Sequence, residues 1–156
     1  MKIIELGNGL KTKVDDDDFI ALARWNWKPI CCNGITYAAR HSSSGTVYMH
    51  REVKDATKGK YVDHINHDTL DNQKGNLRIC SQSQNMANAR RPSHNTSGYK
   101  GVHFHKKAKK YSASMQIHGK SKHLGLFLSA VEAAKAYNKA ALSVWGDFAY
   151  INEVEI

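Results

Sequence analysis

Cysteine is scarce: there are three in 156 residues, Cys31 and Cys32 are neighbours that cannot easily bridge one another, and no Cys-x-x-Cys pair occurs. That argues against a disulfide framework and against a cysteine-built zinc site, and free thiols are the expectation. Long apolar runs are lacking too. The opening MKIIELGNGL contains one Lys but no core for a secretory leader, and nothing approaches the roughly 20 apolar residues of a membrane-spanning helix. A cytosolic protein without membrane contact is expected, and no protein partner is evident. A third absence is local: residues 91–128 contain no Asp or Glu but eight Lys or Arg, in a chain of net charge +9. Such a block needs a polyanion or a crowd of counterions beside it. With 41% apolar residues, the chain has room for one ordinary domain or two small ones.

Residues 2–6 and 11–14 read as two short strands about Gly7-Asn8-Gly9, a hairpin signal. The acids Asp15 to Asp18 invite a metal reading. Consecutive side chains on a helix point in different directions, however, so these acids suit a helix's first turn and its dipole instead. That helix is expected to bury Phe19, Leu22 and Ala23, with Trp25 or Trp27 beyond them and Pro29 ending it. Residues 35–40 and 46–49 predict a second strand pair across His41 to Gly45, and a short helix over 50–55 follows.

The chain is organised around Val62 to Asn88, VDHINHDTLDNQKGNLRICSQSQNMAN. Asp63 and His64 are adjacent at the end of a short strand, Asn76-Leu77-Arg78-Ile79 is a second strand, and Ser81 reads as the cap of a helix carrying Asn85. These residues resemble the HNH endonuclease family in the ββα-metal form of phage homing endonucleases, where Asp-His, a central Asn and a helix-borne Asn follow one another at about this spacing. Asn85 stands where the last His of the family name would be. Upstream, a Trp, "YA.R" and "MHR" are similar to stretches that precede the motif in that family. His50 is read as a helix cap or packing residue, with a place near the catalytic centre as the alternative.

The resemblance implies hydrolysis of a phosphodiester, which requires a nucleophile, neutralised charge on the phosphate and help for the departing oxygen. A histidine of ordinary pKa near 6.5 can take a proton from water at neutral pH, and His64 is assigned that role. Asp63 and the side-chain oxygen of Asn85 are, by resemblance, the protein ligands of one divalent cation, with water and DNA completing a shell that suits Mg²⁺ or Mn²⁺. Asn76 is read as structural, tying the loop and orienting His64. Arg78 is expected to contact phosphate or to pair with an acid such as Asp68. A zinc cluster built on His64-x-x-His67 with Asp63 and Asp68 is the rival metal reading.

From Tyr99 the apolar period changes to two. Tyr111, Ala113, Met115 and Ile117 alternate with Ser112, Ser114, Gln116 and His118, so one sheet face is expected in the core and the other in solvent. Val102 and Phe104 belong to the core face of the preceding strand, with His103 and His105 opposite, and Leu124, Leu126 and Leu128 to the core face of the next. Ser129 and Glu132 form a capping box for a helix whose stripe is Ala130, Ala133, Ala134, Tyr137, Ala141, Val144 and Trp145. Residues 99–152, with "YKGV", "YSAS", "HLGLF", "AVEAAKAYNKAAL" and "WGDFAYIN", resemble the AP2/ERF DNA-binding domain. That likeness implies a sheet entering the major groove and reading bases through Lys100, His103, His105, Ser114, Gln116 and His123. The chain lacks the arginines the plant domain has at several of these positions, so the plant recognition sequence does not transfer. Arg90 and Arg91, in the polar junction before this region, suit a phosphate backbone.

The expected fold is therefore α+β: a strand-rich region 1–48, a ββα-metal module 49–90, a linker 91–98, and a three-stranded antiparallel sheet packed on one helix in 99–156. The expected function is metal-dependent, site-specific cleavage of double-stranded DNA by a homing-type enzyme. A DNA-binding regulator with a degenerate nuclease centre is the rival, and a packaging protein that coats nucleic acid a third reading.

Overall fold

The computed structural model describes residues 1–154 and divides them into two compact units, Met1–Ser81 and a second that begins at Gln82. Both are mixed α+β, built from small antiparallel sheets and short helices. The division falls between the second strand of the central stretch and its helix, whereas the sequence reading keeps strand and helix together to residue 90. Among the described residues no helix is long and apolar enough to cross a membrane.

In the first unit β1 (Lys2–Gly7) and β2 (Leu10–Val14) form the expected hairpin, with both Asn8 and Gly9 at positive φ as a two-residue turn requires. Helix α1 (Asp16–Ala23) starts at the acidic run. It stops earlier than expected, at Arg24, and Pro29 lies instead in an edge strand, β3 (Lys28–Cys32), paired with β4 (Ile35–Ser42). An edge strand tolerates the missing N–H of proline. A third strand, β5 (Gly45–Tyr48), completes that sheet, and α2 (Met49–Val53) follows directly. The core gathers Ile4, Leu6, Val14, Leu22, Trp27, Ala38 and Met49, with Phe19 against it; Ala23 and Trp25 are exposed. The indole N–H of Trp27 donates to Leu22 O at 2.8 Å, so the bulky ring is buried with its polar atom satisfied. The unit closes with the pair β6 (Tyr61–His64) and β7 (Leu77–Cys80).

The second unit opens with α3 (Gln82–Asn88). Its sheet has the order β10 (Lys120–Phe127), β9 (Lys110–Ile117), β8 (Val102–His105), and α4 (Ala130–Trp145) begins in the expected capping box, Ser129 accepting from Glu132 N. Val102, Ala113, Met115, Ala133, Ala134, Tyr137 and Ala141 are buried between sheet and helix. Four expected core residues are not there. A bulge between His123 and Gly125 shifts the register of β10, so Phe127 packs inward and Leu126 and Leu128 are exposed. Phe104, near the end of β8, is 49% exposed and meets the Tyr111 ring edge to face. Val144 falls at the open end of the helix stripe. Residues 91–98 are more than a tether: the side chains of Asn95 and Ser97 donate to the carbonyls of Tyr99 and Val102.

Candidate active site

The β6–β7 hairpin sets Asp63 opposite Arg78 and His64 opposite Leu77, and the loop between the strands is stitched by its own side chains. Asn76, at the end of a 3-10 turn (Lys74–Asn76) rather than inside the strand, accepts from Asn66 N at 3.0 Å and donates to Asp71 O at 2.8 Å. Asn66 in turn donates to the Asp71 carboxylate at 3.0 Å and accepts from Asp68 N at 2.8 Å. One end of the loop is anchored from outside: the Asp15 carboxylate accepts from Lys74 N and Gln73 Nε2, and the Lys74 N–H holds it below the usual carboxylate range. The acid that opens α1 therefore braces this loop instead of bonding its own helix terminus. The tie expected of Asn76 is present, but the amide hydrogen-bonded to His64 belongs to another residue.

That residue is Asn72, 1% exposed, whose Oδ1 lies 3.3 Å from His64 Nε2. Its Nδ2 donates to Thr12 Oγ1 at 2.7 Å, and Thr12 donates to Leu70 O at 2.7 Å. Strand β2 is joined to the loop by two more bonds, Lys13 N to Leu70 O and Asn72 N to Lys13 O, both 2.8 Å. A residue sixty positions away thus sets the amide beside His64. Sequence patterning marks Asn72 only as one more polar loop residue and gives no sign of Thr12.

His64 is 6% exposed and packs against His50, with ring centroids 5.1 Å apart; Tyr37 lies 5.5 Å from His50 and 6.4 Å from His64. Burial pushes the His64 imidazole below its ordinary value, partly opposed by the Asn72 hydrogen bond, and pushes His50 down to about 3. Both rings are neutral near pH 7. His50, in the first turn of α2, is buried and packs on the His64 ring, so it is a packing residue that also lies beside His64. His67 occupies a turn at φ 62°.

Asp63 is 7% exposed; its Oδ2 accepts a hydrogen bond from Arg78 Nε at 2.8 Å and lies in ion-pair contact with Nη2 at 2.7 Å. Arg78 pairs with Asp63 and not with Asp68, which lies 3.6 Å from Lys13. The guanidinium holds the carboxylate in one orientation through one of its oxygens. Hard oxygen donors such as a carboxylate and a side-chain amide are what Mg²⁺ and Mn²⁺ take, so Asp63 and Asn85 fit such an ion chemically. Asn85 is half-buried on α3, within the second unit. That helix is held there by Tyr150 N donating to Ala87 O at 3.1 Å, and by the Lys100 ammonium, 3.1 Å from Met86 O and 2.6 Å from both Ala87 O and Ala89 O. Burial draws the Lys100 ammonium down to about 8, so this lysine caps a helix end where the sequence reading has it facing bases.

The other expected contacts separate into groups. Arg90, Arg91, His103, Gln116 and His123 are exposed and Ser114 is half-buried. His103 is paired across the sheet with Ser112, and His123 with Ser114. Ser112, 3% exposed, lies under His123, whose Nδ1 is 3.3 Å from its hydroxyl. His105 accepts from Ala108 N at 3.1 Å, fixing the β8–β9 turn. His118 lies in the β9–β10 turn at φ 48° with its ring 5.6 Å from Trp145, away from the strand positions that alternation assigns it.

The HNH endonuclease family model matches residues 56–87, the segment that holds this hairpin, its loop and most of α3. An uncharacterized HNH endonuclease of Acanthamoeba polyphaga mimivirus is 32% identical over 148 residues, covering 88% of this chain and 75% of that protein. Protein 3.8 of Escherichia phage T7 is 35% identical over 63 residues, covering 40% of this chain and 52% of that protein. No solved structure matches the chain. The chain belongs to the HNH endonuclease family.

Proposed function

We propose that the protein is a metal-dependent, homing-type endonuclease that cuts phosphodiester bonds in double-stranded DNA at a specific site. His64 acts as the general base that takes a proton from the attacking water. Asp63 and Asn85 hold one Mg²⁺ or Mn²⁺, which when bound supplies charge neutralisation at the scissile phosphate and the departing 3′-oxygen. Asn76 keeps the loop in shape, and Arg78 orients Asp63. The exposed face of the β8–β10 sheet, with His103, Gln116 and His123 and flanked by the basic block, is the surface for the duplex, with Arg90 and Arg91 on phosphates.

The observation that carries this reading is the pairing of a buried, neutral histidine with an arginine-braced carboxylate on adjacent residues of one strand. Neutral imidazole is the form that accepts a proton. The same arginine is what favours the rival, since a carboxylate neutralised by Arg78 suits a DNA-binding regulator whose centre no longer cuts.

Supercoiled plasmid incubated with Mg²⁺, Mn²⁺ or EDTA separates the two. Conversion to nicked or linear DNA only with metal, lost in His64→Ala while the gel shift persists, is expected. Equal binding by both proteins with no cutting on plasmids carrying host and phage fragments would establish the regulator.

A further inference from the structure

We propose that Asn72, set by Thr12, is a positioning residue that places the hydrogen of His64 on Nε2 and makes Nδ1 the nitrogen that accepts the proton of the attacking water. The inference rests on the reading of His64 as general base. It concerns which of its two nitrogens does the work and what selects it.

The selection follows from donor and acceptor bookkeeping along one chain of atoms. Thr12 Oγ1 and Leu70 O are 2.7 Å apart, and two oxygens at that distance require a hydrogen between them. A carbonyl has none to give, so the Thr12 hydroxyl donates. Its only hydrogen is then used, and Oγ1 must act as acceptor toward Asn72, also at 2.7 Å. Asn72 therefore presents its NH₂ group to Thr12 and its carbonyl oxygen to His64 Nε2 at 3.3 Å. An amide oxygen only accepts, so Nε2 carries the hydrogen, and in a neutral imidazole the lone pair is then on Nδ1. Turning the amide over would set two acceptors against each other at Thr12.

The relay is rigid because it is buried. Thr12 is 0% exposed and Asn72 1%, and the Thr12 strand is tied to the loop by the two backbone bonds of Lys13. His50 and Tyr37 pack the imidazole besides.

The test compares Asn72→Asp with Asn72→Leu in the full chain, using turnover at saturating DNA, DNA affinity in EDTA and the thermal midpoint, with His64→Ala alongside. A carboxylate still accepts from Nε2, whereas leucine fills the space without accepting. If Asn72 matters only for packing, leucine is the milder change, because it buries no charge, and activity follows stability. If Asn72 positions the base, the order of activity is the reverse of the order of stability. Asn72→Leu is expected to lose roughly 10- to 100-fold in turnover with DNA affinity unchanged. Asn72→Asp is expected to recover most of that loss despite a lower midpoint. Wild-type turnover in Asn72→Leu, with His64→Ala inactive, overturns the inference and leaves the role of His64 standing; an active His64→Ala overturns that role itself. Independently of any variant, a long-range proton–nitrogen spectrum of histidine-labelled protein is expected to show His64 with its hydrogen on Nε2, and finding it on Nδ1 overturns the assignment.

Discussion

In the first unit Thr12, His50, Asp63, His64, Asp71 and Asn72 are each less than a tenth exposed, whereas in the second unit His103, His105, Gln116 and His123 are exposed. Charge divides the same way. Residues 1–81 hold twelve Lys or Arg against ten Asp or Glu, and the remaining 75 hold eleven against four. Burying polar groups costs desolvation unless every atom finds a partner, but it leaves each group one orientation and one protonation state. Displaying them keeps their hydration and leaves attraction to a polyanion screened by salt. These polar groups of residues 1–81 are thus held in fixed geometry, whereas the histidines and Gln116 of the second unit keep their hydration.

The sharpest way to break that contrast is to remove a partner from the buried set. Arg78→Met would leave the Asp63 carboxylate without its guanidinium at 7% exposure, and losing one member of a buried ion pair costs roughly 3–5 kcal/mol. Urea unfolding is expected to show that loss, and added Mg²⁺ or Mn²⁺ to return part of it if Asp63 is a ligand. A loss below ~1 kcal/mol would place Arg78 among ordinary surface pairs. In the second unit the comparable weak point is backbone. Gly101 has φ +76°, and a Cβ there would overlap the Tyr137 ring and Ser114 O, so Gly101→Ala costs roughly 1–3 kcal/mol from conformation alone, more with the clash. A thermal midpoint unchanged by that substitution would contradict the close sheet-to-helix approach.

Acid tests the buried histidines directly. His50 titrates near 3 in the folded protein and near 6.5 unfolded, so between those values the unfolded chain binds more protons. Stability contributed by this group is therefore full above pH 6.5 and falls as pH drops toward 3, by about 1.4 kcal/mol per unit. From pH 7 to pH 5 wild type should lose ~2 kcal/mol more than His50→Phe, which has nothing to protonate. His64, also lowered by burial, acts in the same direction and is present in both proteins. Parallel losses in the two would mean that His50 takes up protons as readily folded as unfolded.

The sequence shows local periodicity well and distant partners poorly. The hairpin about Asn8-Gly9, the α4 capping box and the Asp63-His64 strand are local signals, and each element stands where its residues place it. Strand β3 was legible too, since Asn33 and Gly34 at φ 52° and 79° form the same kind of turn as Asn8 and Gly9, but the helix pattern running to Pro29 obscured it. Alternation fails at β10 because a single bulged residue inverts every side chain beyond it, which moves Leu126 outward and Phe127 inward. The Thr12–Asn72–His64 relay, the Asp15 brace and the Lys100 cap all join residues far apart in sequence, and no local rule reports them.

The smallest effect is expected on the displayed side, and it is the one that separates holding from reading. Lys106, Lys107, Lys109 and Lys110 lie in and beside the β8–β9 turn, all exposed. If each meets a phosphate, replacing one by alanine weakens binding to every duplex alike and lowers the slope of log affinity against log salt by about 0.9. His103→Ala should leave that slope unchanged and relax preference at one base step, worth roughly 1–3 kcal/mol if it reads a base edge. Gel shifts across a salt series, on a selected site and on scrambled duplex, distinguish the two. A His103 variant that weakens both duplexes equally while lowering the slope would make the histidine one more phosphate contact. Site preference would then have to come from another part of the sheet, Gln116 and His123 first.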